Sequence, residues 1–186
     1  VFPYDAIGNP LSDGTWTYTW EKGRQLKSMH NANTGVTMEF KYNHKGIRTQ
    51  KIKKVDGTVT ETTDYILKGK QLAAMKKNTD TYYFAYDASD APVMVNFNGT
   101  NYTYVKNLQG DIVGILDASG NLVVEYKYDA WGAVSSTVTA GLTGLSSYIA
   151  YNNPFRYRGY YFENCILNIK NFKEELIMFK SYSMEL

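Results

Sequence analysis

The sequence is short of most residues on which chemistry is usually built. It has a single cysteine, Cys165, two histidines, His30 and His44, and four prolines among 186 residues. One cysteine cannot close an internal disulfide, so a disulfide-stapled scaffold is excluded. Two separated histidines without a ligand spacing make a poor metal site, and they leave little for Ser–His or Cys–His nucleophilic catalysis. Charge of one sign is lacking too. Twenty Lys and Arg against eighteen Asp and Glu give a formal net charge of +2, which creates no overall basic field for a nucleic acid. No window approaches the roughly 18 uninterrupted apolar residues of a membrane helix. Val1 to Pro10 lacks the charged and apolar regions of an export signal. The chain begins without Met and enters a motif at once, so it reads as an excerpt of something longer.

What is abundant is aromatic. Seventeen Tyr, eight Phe and three Trp make 15% of the chain, and such residues suit pleated, half-buried surfaces. Alternation supports that reading. Trp16, Tyr18 and Trp20 share one face of a strand whose other face is Thr15, Thr17 and Thr19. Met38, Phe40 and Tyr42 form a second set, and Tyr82, Phe84 and Tyr86 a third. Leu122, Val124, Tyr126 and Tyr128 alternate with Val123, Glu125 and Lys127. A period of two is the mark of strands with one wet side. Asp56-Gly57, Asn98-Gly99 and Ser119-Gly120 read as two-residue hairpin turns, because such turns need positive φ angles.

One phrase then recurs. Tyr4-Asp5-Ala6-Ile7-Gly8, Tyr42-Asn43-His44-Lys45-Gly46, Tyr86-Asp87-Ala88-Ser89-Asp90 and Tyr128-Asp129-Ala130-Trp131-Gly132 are versions of Tyr-Asp-x-x-Gly. A second phrase lies between them: the run Tyr18 to Leu26, through Gly23, aligns with Tyr65 to Leu72, through Gly69. Asn107 to Gly110 and Asp117 to Gly120 read as further degenerate copies. In this grammar Tyr ends a strand on its buried face. Asp or Asn turns the chain by bonding its own backbone, and Gly takes the left-handed position. One such hairpin cannot bury its aromatic face alone, so neighbours must stack.

The two phrases together resemble the YD repeat of Rhs and teneurin-type proteins. The closing stretch sharpens the likeness. Tyr126 to Gly132, a Gly/Ser/Thr-rich connector, and then Asn153-Pro154-Phe155-Arg156-Tyr157-Arg158-Gly159-Tyr160-Tyr161 resemble the Rhs repeat-associated core. The resemblance covers about residues 1 to 162. It implies an all-β, antiparallel β-ribbon or meander curling as part of a hollow shell that encloses a toxin or supports cell-surface contact. It also implies a secreted or surface location, and as partners the upstream repeats and a toxin domain of the parent polypeptide. The family's core continues with an Arg-Tyr-Tyr-Asp-Pro segment and, in many members, an aspartate-dependent self-cleavage. After Phe162 this chain carries neither, so those residues are not transferred.

The expected organisation is therefore residues 1–128 as YD-repeat sheet of seven to ten strands, 129–162 as the core-like closing segment, and 163–186 as a divergent tail. Ile166, Ile169, Phe172, Leu176 and Phe179 stand at rough helical spacing, so a short amphipathic helix is expected there. Asp5, Asp87 and Asp129 occupy one slot, filled by Asn43 in another copy, and read as turn formers rather than catalytic carboxylates, which need unlike environments. Lys41, Lys45, Arg48, Lys51, Lys53 and Lys54 cluster, yet Lys51 and Lys53 alternate with Ile52 as a solvated face would. Trp131, Arg156 and Arg158 read as anchors of the connector. Trp16, Tyr18 and Trp20 are the candidate stack for a glycan, the alternative function being a cell-surface carbohydrate-binding module. No cofactor, no metal, no nucleic-acid partner and no enzymatic activity of the chain's own are expected.

Overall fold

A computed structural model describes residues 2–69, 71–138 and 145–161. They fall into two compact units, residues 2–80 and 81–161. The first holds β1 (Thr17–Glu21), β2 (Gln25–Asn31), β3 (Val36–Tyr42), β4 (Arg48–Val55), β5 (Thr58–Lys68) and β6 (Gln71–Lys77). Each strand pairs antiparallel with the next in sequence. Its buried side chains form one stripe across the strands: Tyr18, Met29, Met38 and Phe40, then Tyr65, Met75 and Leu72. Directly paired residues share a face, so the register Tyr18–Met29–Met38 is one continuous apolar row.

The second unit holds β7 (Asp80–Tyr86), β8 (Pro92–Phe97), β9 (Thr100–Lys106), β10 (Ile112–Leu116), β11 (Leu122–Tyr128) and β12 (Val134–Val138), followed by the helix α1 (Leu145–Asn152). Its strands also pair in sequence order and antiparallel. Tyr82, Phe97, Val95, Ile115 and Val124 are almost wholly enclosed, as are Ile149 and Ala150 of α1.

The all-β antiparallel reading holds, with twelve strands among the described residues where seven to ten were expected. Length explains the excess: tight turns at Asp56-Gly57 and Asn98-Gly99 leave no residues over between neighbours, as the pairs Val55–Thr58 and Phe97–Thr100 show. Both residues of each turn have positive φ, as a two-residue hairpin turn requires. Ser119-Gly120 departs from expectation. It belongs to a five-residue turn that starts at Asp117, and only its glycine has positive φ. The set Leu122, Val124, Tyr126 and Tyr128 departs as well. Pairing slips between Ile115 and Leu116, so Leu122 is exposed while Val123 and Val124 are both buried. The short helix lies in the Gly/Ser/Thr-rich connector, at Leu145–Asn152; the one expected on 166–180 falls outside the described residues.

Candidate functional site

The Tyr-Asp-x-x-Gly phrase is a hydrogen-bonded device. In the turn at Asp5, Oδ1 accepts from the N–H of Ile7 (3.0 Å) and of Asn9 (2.9 Å). The N–H of Asp5 donates to the Asn9 carbonyl, and that of Gly8 to the Asp5 carbonyl. Asn43, Asp87, Asn107, Asp117 and Asp129 repeat all four bonds with their own second, third and fourth successors. The fourth position takes a positive φ in every copy, glycine in five and Asp90 in the sixth. Asn107 and Asp117 were read as copies of the second phrase; their bonding makes them copies of the first.

The asparagines show that Oδ1 as acceptor is what the slot needs, not charge. Where Asp fills it, the backbone donors hold the carboxyl of Asp5 and Asp117 below its ordinary range. At Asp87 the Ser89 hydroxyl, the Ala91 N–H and the Lys106 ammonium at 3.2 Å do the same, most strongly. Pairing slips just before Tyr42, Tyr86 and Tyr128, as the extra residue of such a turn demands.

Tyrosine in the phrase has a second purpose. The Tyr42 hydroxyl donates to the Leu26 carbonyl (2.8 Å) and that of Tyr128 to the Ile112 carbonyl (2.5 Å), each sixteen residues back on the neighbouring strand. Both side chains are half-buried and Tyr4 is exposed, so at Tyr4 the expectation of Tyr on the buried face is corrected. Burial raises the phenol of Tyr42 and of Tyr128, and that of Tyr86 to about 12. The Tyr42 and Tyr128 hydroxyls therefore remain protonated donors.

The closing phrase Asn153–Tyr160 lies on the second unit. Asn153 is buried; its Oδ1 accepts from the Tyr104 hydroxyl (2.7 Å) and its amide donates to the Phe155 carbonyl (2.5 Å). Phe155 meets the Phe84 ring edge-on at 4.9 Å. Arg156 is 5% exposed. Its guanidinium donates to the carbonyls of Ala150, Tyr151 and Asn153, and sits 5.0 Å from the Tyr126 ring. The Tyr126 hydroxyl donates to the Ala150 carbonyl (2.8 Å). Burial pulls the Arg156 guanidinium down and pushes the phenols of Tyr104 and Tyr126 up. The Arg156 carbonyl takes the Ile112 N–H at the head of β10.

A 3-10 turn, Tyr157–Gly159, then locks onto the strand turns. The N–H of Arg158, itself at φ 52°, donates to Asp111 Oδ1 (2.8 Å), while Asn107 holds Asp111 Oδ2 (2.7 Å). The Tyr157 ring covers Gly132 so closely that a Cβ there would fall 2.6 Å from it. Of the expected anchors Arg156 is enclosed as an anchor must be, Arg158 holds by its backbone with the side chain outward, and Trp131 is 70% exposed. Pro154 is buried, and Tyr160 is exposed. Asp111 and Tyr104 were missed by sequence reading; their partners lie 47 and 49 residues away, beyond any local pattern.

The glycan stack is corrected by burial. Trp16 and Tyr18 are each 6% exposed, the Tyr18 hydroxyl is bound to Asp13, and Trp20 Nε1 donates to the Pro10 carbonyl (2.7 Å). A stacking platform needs open ring faces, whereas Trp16 and Tyr18 are core and Trp20 is half-buried. His30 Nδ1 pairs with Thr37 Oγ1 (2.9 Å), while His44 projects from a turn. Among the described residues no group of three or more His, Cys, Asp and Glu could hold a metal, and no helix is long and apolar enough to cross a membrane.

The fold and its bonded turns define an open antiparallel repeat sheet with the phrase Asn153–Tyr160 packed on its second unit. No family model matches the chain. It is 33% identical over 165 residues to the tRNA3(Ser)-specific nuclease WapA of Bacillus spizizenii and, equally, to the tRNA nuclease WapA of Bacillus subtilis; each match takes in 86% of this chain and 7% of the relative. The chain thus spans less than a tenth of the curated relatives it matches. Among solved structures it is similar to the crystal structure of TcdB2-TccC3-Cdc42, with a TM-score of 0.65, 15% identity, and coverage of 87% of this chain and 8% of that one. The Photorhabdus luminescens Tc holotoxin pore is similar with a TM-score of 0.54, 14% identity, and coverage of 84% and 8%. These matches fit an Rhs-type protein. They also correct one expectation: the relatives are named as nucleases, which are enzymes, and this points against the expectation that the chain has no enzymatic activity of its own.

Proposed function

We propose that the chain is a wall segment of an Rhs-type shell, at the end of its repeat region, within a longer polypeptide that carries a toxin domain. The observation behind this reading is the closing phrase. Arg156 and Asn153 hold residues 149–156 against the aromatic face of the second unit, which is how a repeat array is capped so that its last apolar face does not stay open. The likeness to WapA, together with the small share of each relative that it spans, supports a toxin-bearing parent and gives that toxin its class, a nuclease acting on tRNA. Enclosure of such a domain would keep it from the cell that makes it. A secreted or surface-displayed location follows from the same reading.

The test is to read the coding region on both sides of this segment and to express the whole polypeptide. Upstream copies of Tyr-Asp-x-x-Gly, a downstream domain that cleaves tRNA, and protease resistance of that domain until the shell is opened are expected. A coding region with no further repeats, or a domain digested as fast in the intact polypeptide as when isolated, would overturn the proposal.

A further inference from the structure

Asn98 is the one asparagine in the sequence that glycine follows. It opens the two-residue turn between β8 and β9, with φ of 48° there and 88° at Gly99. Both residues are exposed. A Cβ at Gly99 would meet nothing within 4 Å, so the space beside its amide is open. Glycine itself sets no side chain against an approaching group.

The side chain of Asn98 is held at its carbonyl oxygen. Oδ1 accepts from the Thr81 N–H (2.8 Å) and from the Thr81 hydroxyl (3.3 Å). The Asn98 N–H in turn donates to the Thr81 carbonyl (3.0 Å). Beyond the turn, the Gly99 N–H donates to Asn96 Oδ1 (3.1 Å). Two donors on a carbonyl oxygen stabilise negative charge as it develops there. An acceptor on an N–H draws on the proton that attack by that nitrogen must shed. The turn thus polarises an electrophile, Asn98 Cγ, and readies the nitrogen next to it. Asn78 opens a similar turn, with Oδ1 on the Thr62 N–H (2.9 Å), but Thr79 follows it.

We infer that Asn98 is a site of spontaneous covalent modification. The Gly99 nitrogen bonds to Asn98 Cγ and loses its proton to solvent. The Cγ–Nδ2 bond breaks, ammonia leaves, and a cyclic imide remains. Water then opens the ring at either carbonyl, leaving aspartate or isoaspartate. Aspartate keeps an Oδ1 for Thr81, and Asp56 shows that this turn position accepts it, since its N–H donates likewise to the Gly35 carbonyl (3.0 Å). Isoaspartate carries the main chain through the side-chain carbon, so the tie from the β8–β9 turn to Thr81 on β7 is lost. The inference is independent of the shell reading.

The test incubates the full chain at neutral and mildly alkaline pH, folded and in guanidinium chloride, while peptide mass spectrometry follows each asparagine. In the folded chain Asn98 should convert severalfold faster than Asn78 and Asn121, at least as fast as in denaturant, and faster at the higher pH. Labelling by an isoaspartate-specific methyltransferase should map to the same peptide. Thr81→Val removes the hydroxyl donor, so it should slow conversion in the fold severalfold and leave the rate in denaturant unchanged. Asn98 intact in the fold while the denatured sample converts would overturn the inference. Equal folded rates for wild type and Thr81→Val would overturn it too. Should Thr81→Val not fold, the folded and denatured wild type decide the matter by themselves.

Discussion

The two units use one strand-and-turn grammar and finish it differently. In residues 2–80 the buried stripe is Met, Leu and aromatic side chains, grading into lysines and a glutamate. In residues 81–161 the stripe is aromatic and β-branched, and the chain itself returns to cover it with Ile149, Ala150, Phe155 and Arg156. The first is held by packing and local turns. The second adds long-range bonds, from Tyr104 to Asn153, Tyr126 to Ala150 and Arg158 to Asp111, beside one buried guanidinium that satisfies three nearby carbonyls. The lesson is that a repeat specifies its strands locally but needs a non-repeating element to close a face.

That contrast can be broken most forcefully at Arg156. Arg156→Met should cost about 3 kcal/mol, since it strips charge-assisted bonds from buried carbonyls; urea unfolding should show the loss in the second unit only. Gly132→Ala comes next, at roughly 2 kcal/mol, because it forces Ala into a positive φ and against the Tyr157 ring. The same substitution at Gly57, where nothing lies within 4 Å, carries only the backbone penalty and should cost less.

A third comparison tests sameness. Tyr42→Phe in the first unit and Tyr128→Phe in the second each delete one hydroxyl bond to a carbonyl sixteen residues back. Each should lose about 1 kcal/mol, and unequal losses would show that the two turns are not equivalent.

The smallest effect concerns pH. Asp5, Asp87 and Asp117 have carboxyls held below the ordinary value in the fold. Their contribution is therefore present above the unfolded value, about 3.9, and lost as pH falls through the lower folded values. Replacing all three by Asn, which Asn43 and Asn107 show the turn accepts, should preserve the fold at neutral pH. Thermal melts should then show a flatter loss of stability below about pH 4.

The turns were legible in the sequence because Asp and Asn act on backbone two and four residues away. The strands followed from alternation for the same local reason. Asn107 and Asp117 were misfiled because no Tyr precedes them, although their spacing to Gly110 and Gly120 carries the signal. The inversion at Leu122 and Val123 arises from a slip in pairing, which no single strand records. Burial of Trp16 and Tyr18 was hidden because alternation shows which face residues share but not what covers it. The seat of the closing phrase joins residues 47 and 49 apart, and the tail beyond residue 161 lies outside the described structure.

Hydrogen exchange of the Arg156→Met chain against wild type tests the central claim most directly. The account predicts faster exchange in β9, β10 and β11, including the Ile112 amide, with β2, β3 and β4 unchanged. Equal acceleration in both sets, or none in either, would contradict the view that the closing phrase seals the second unit.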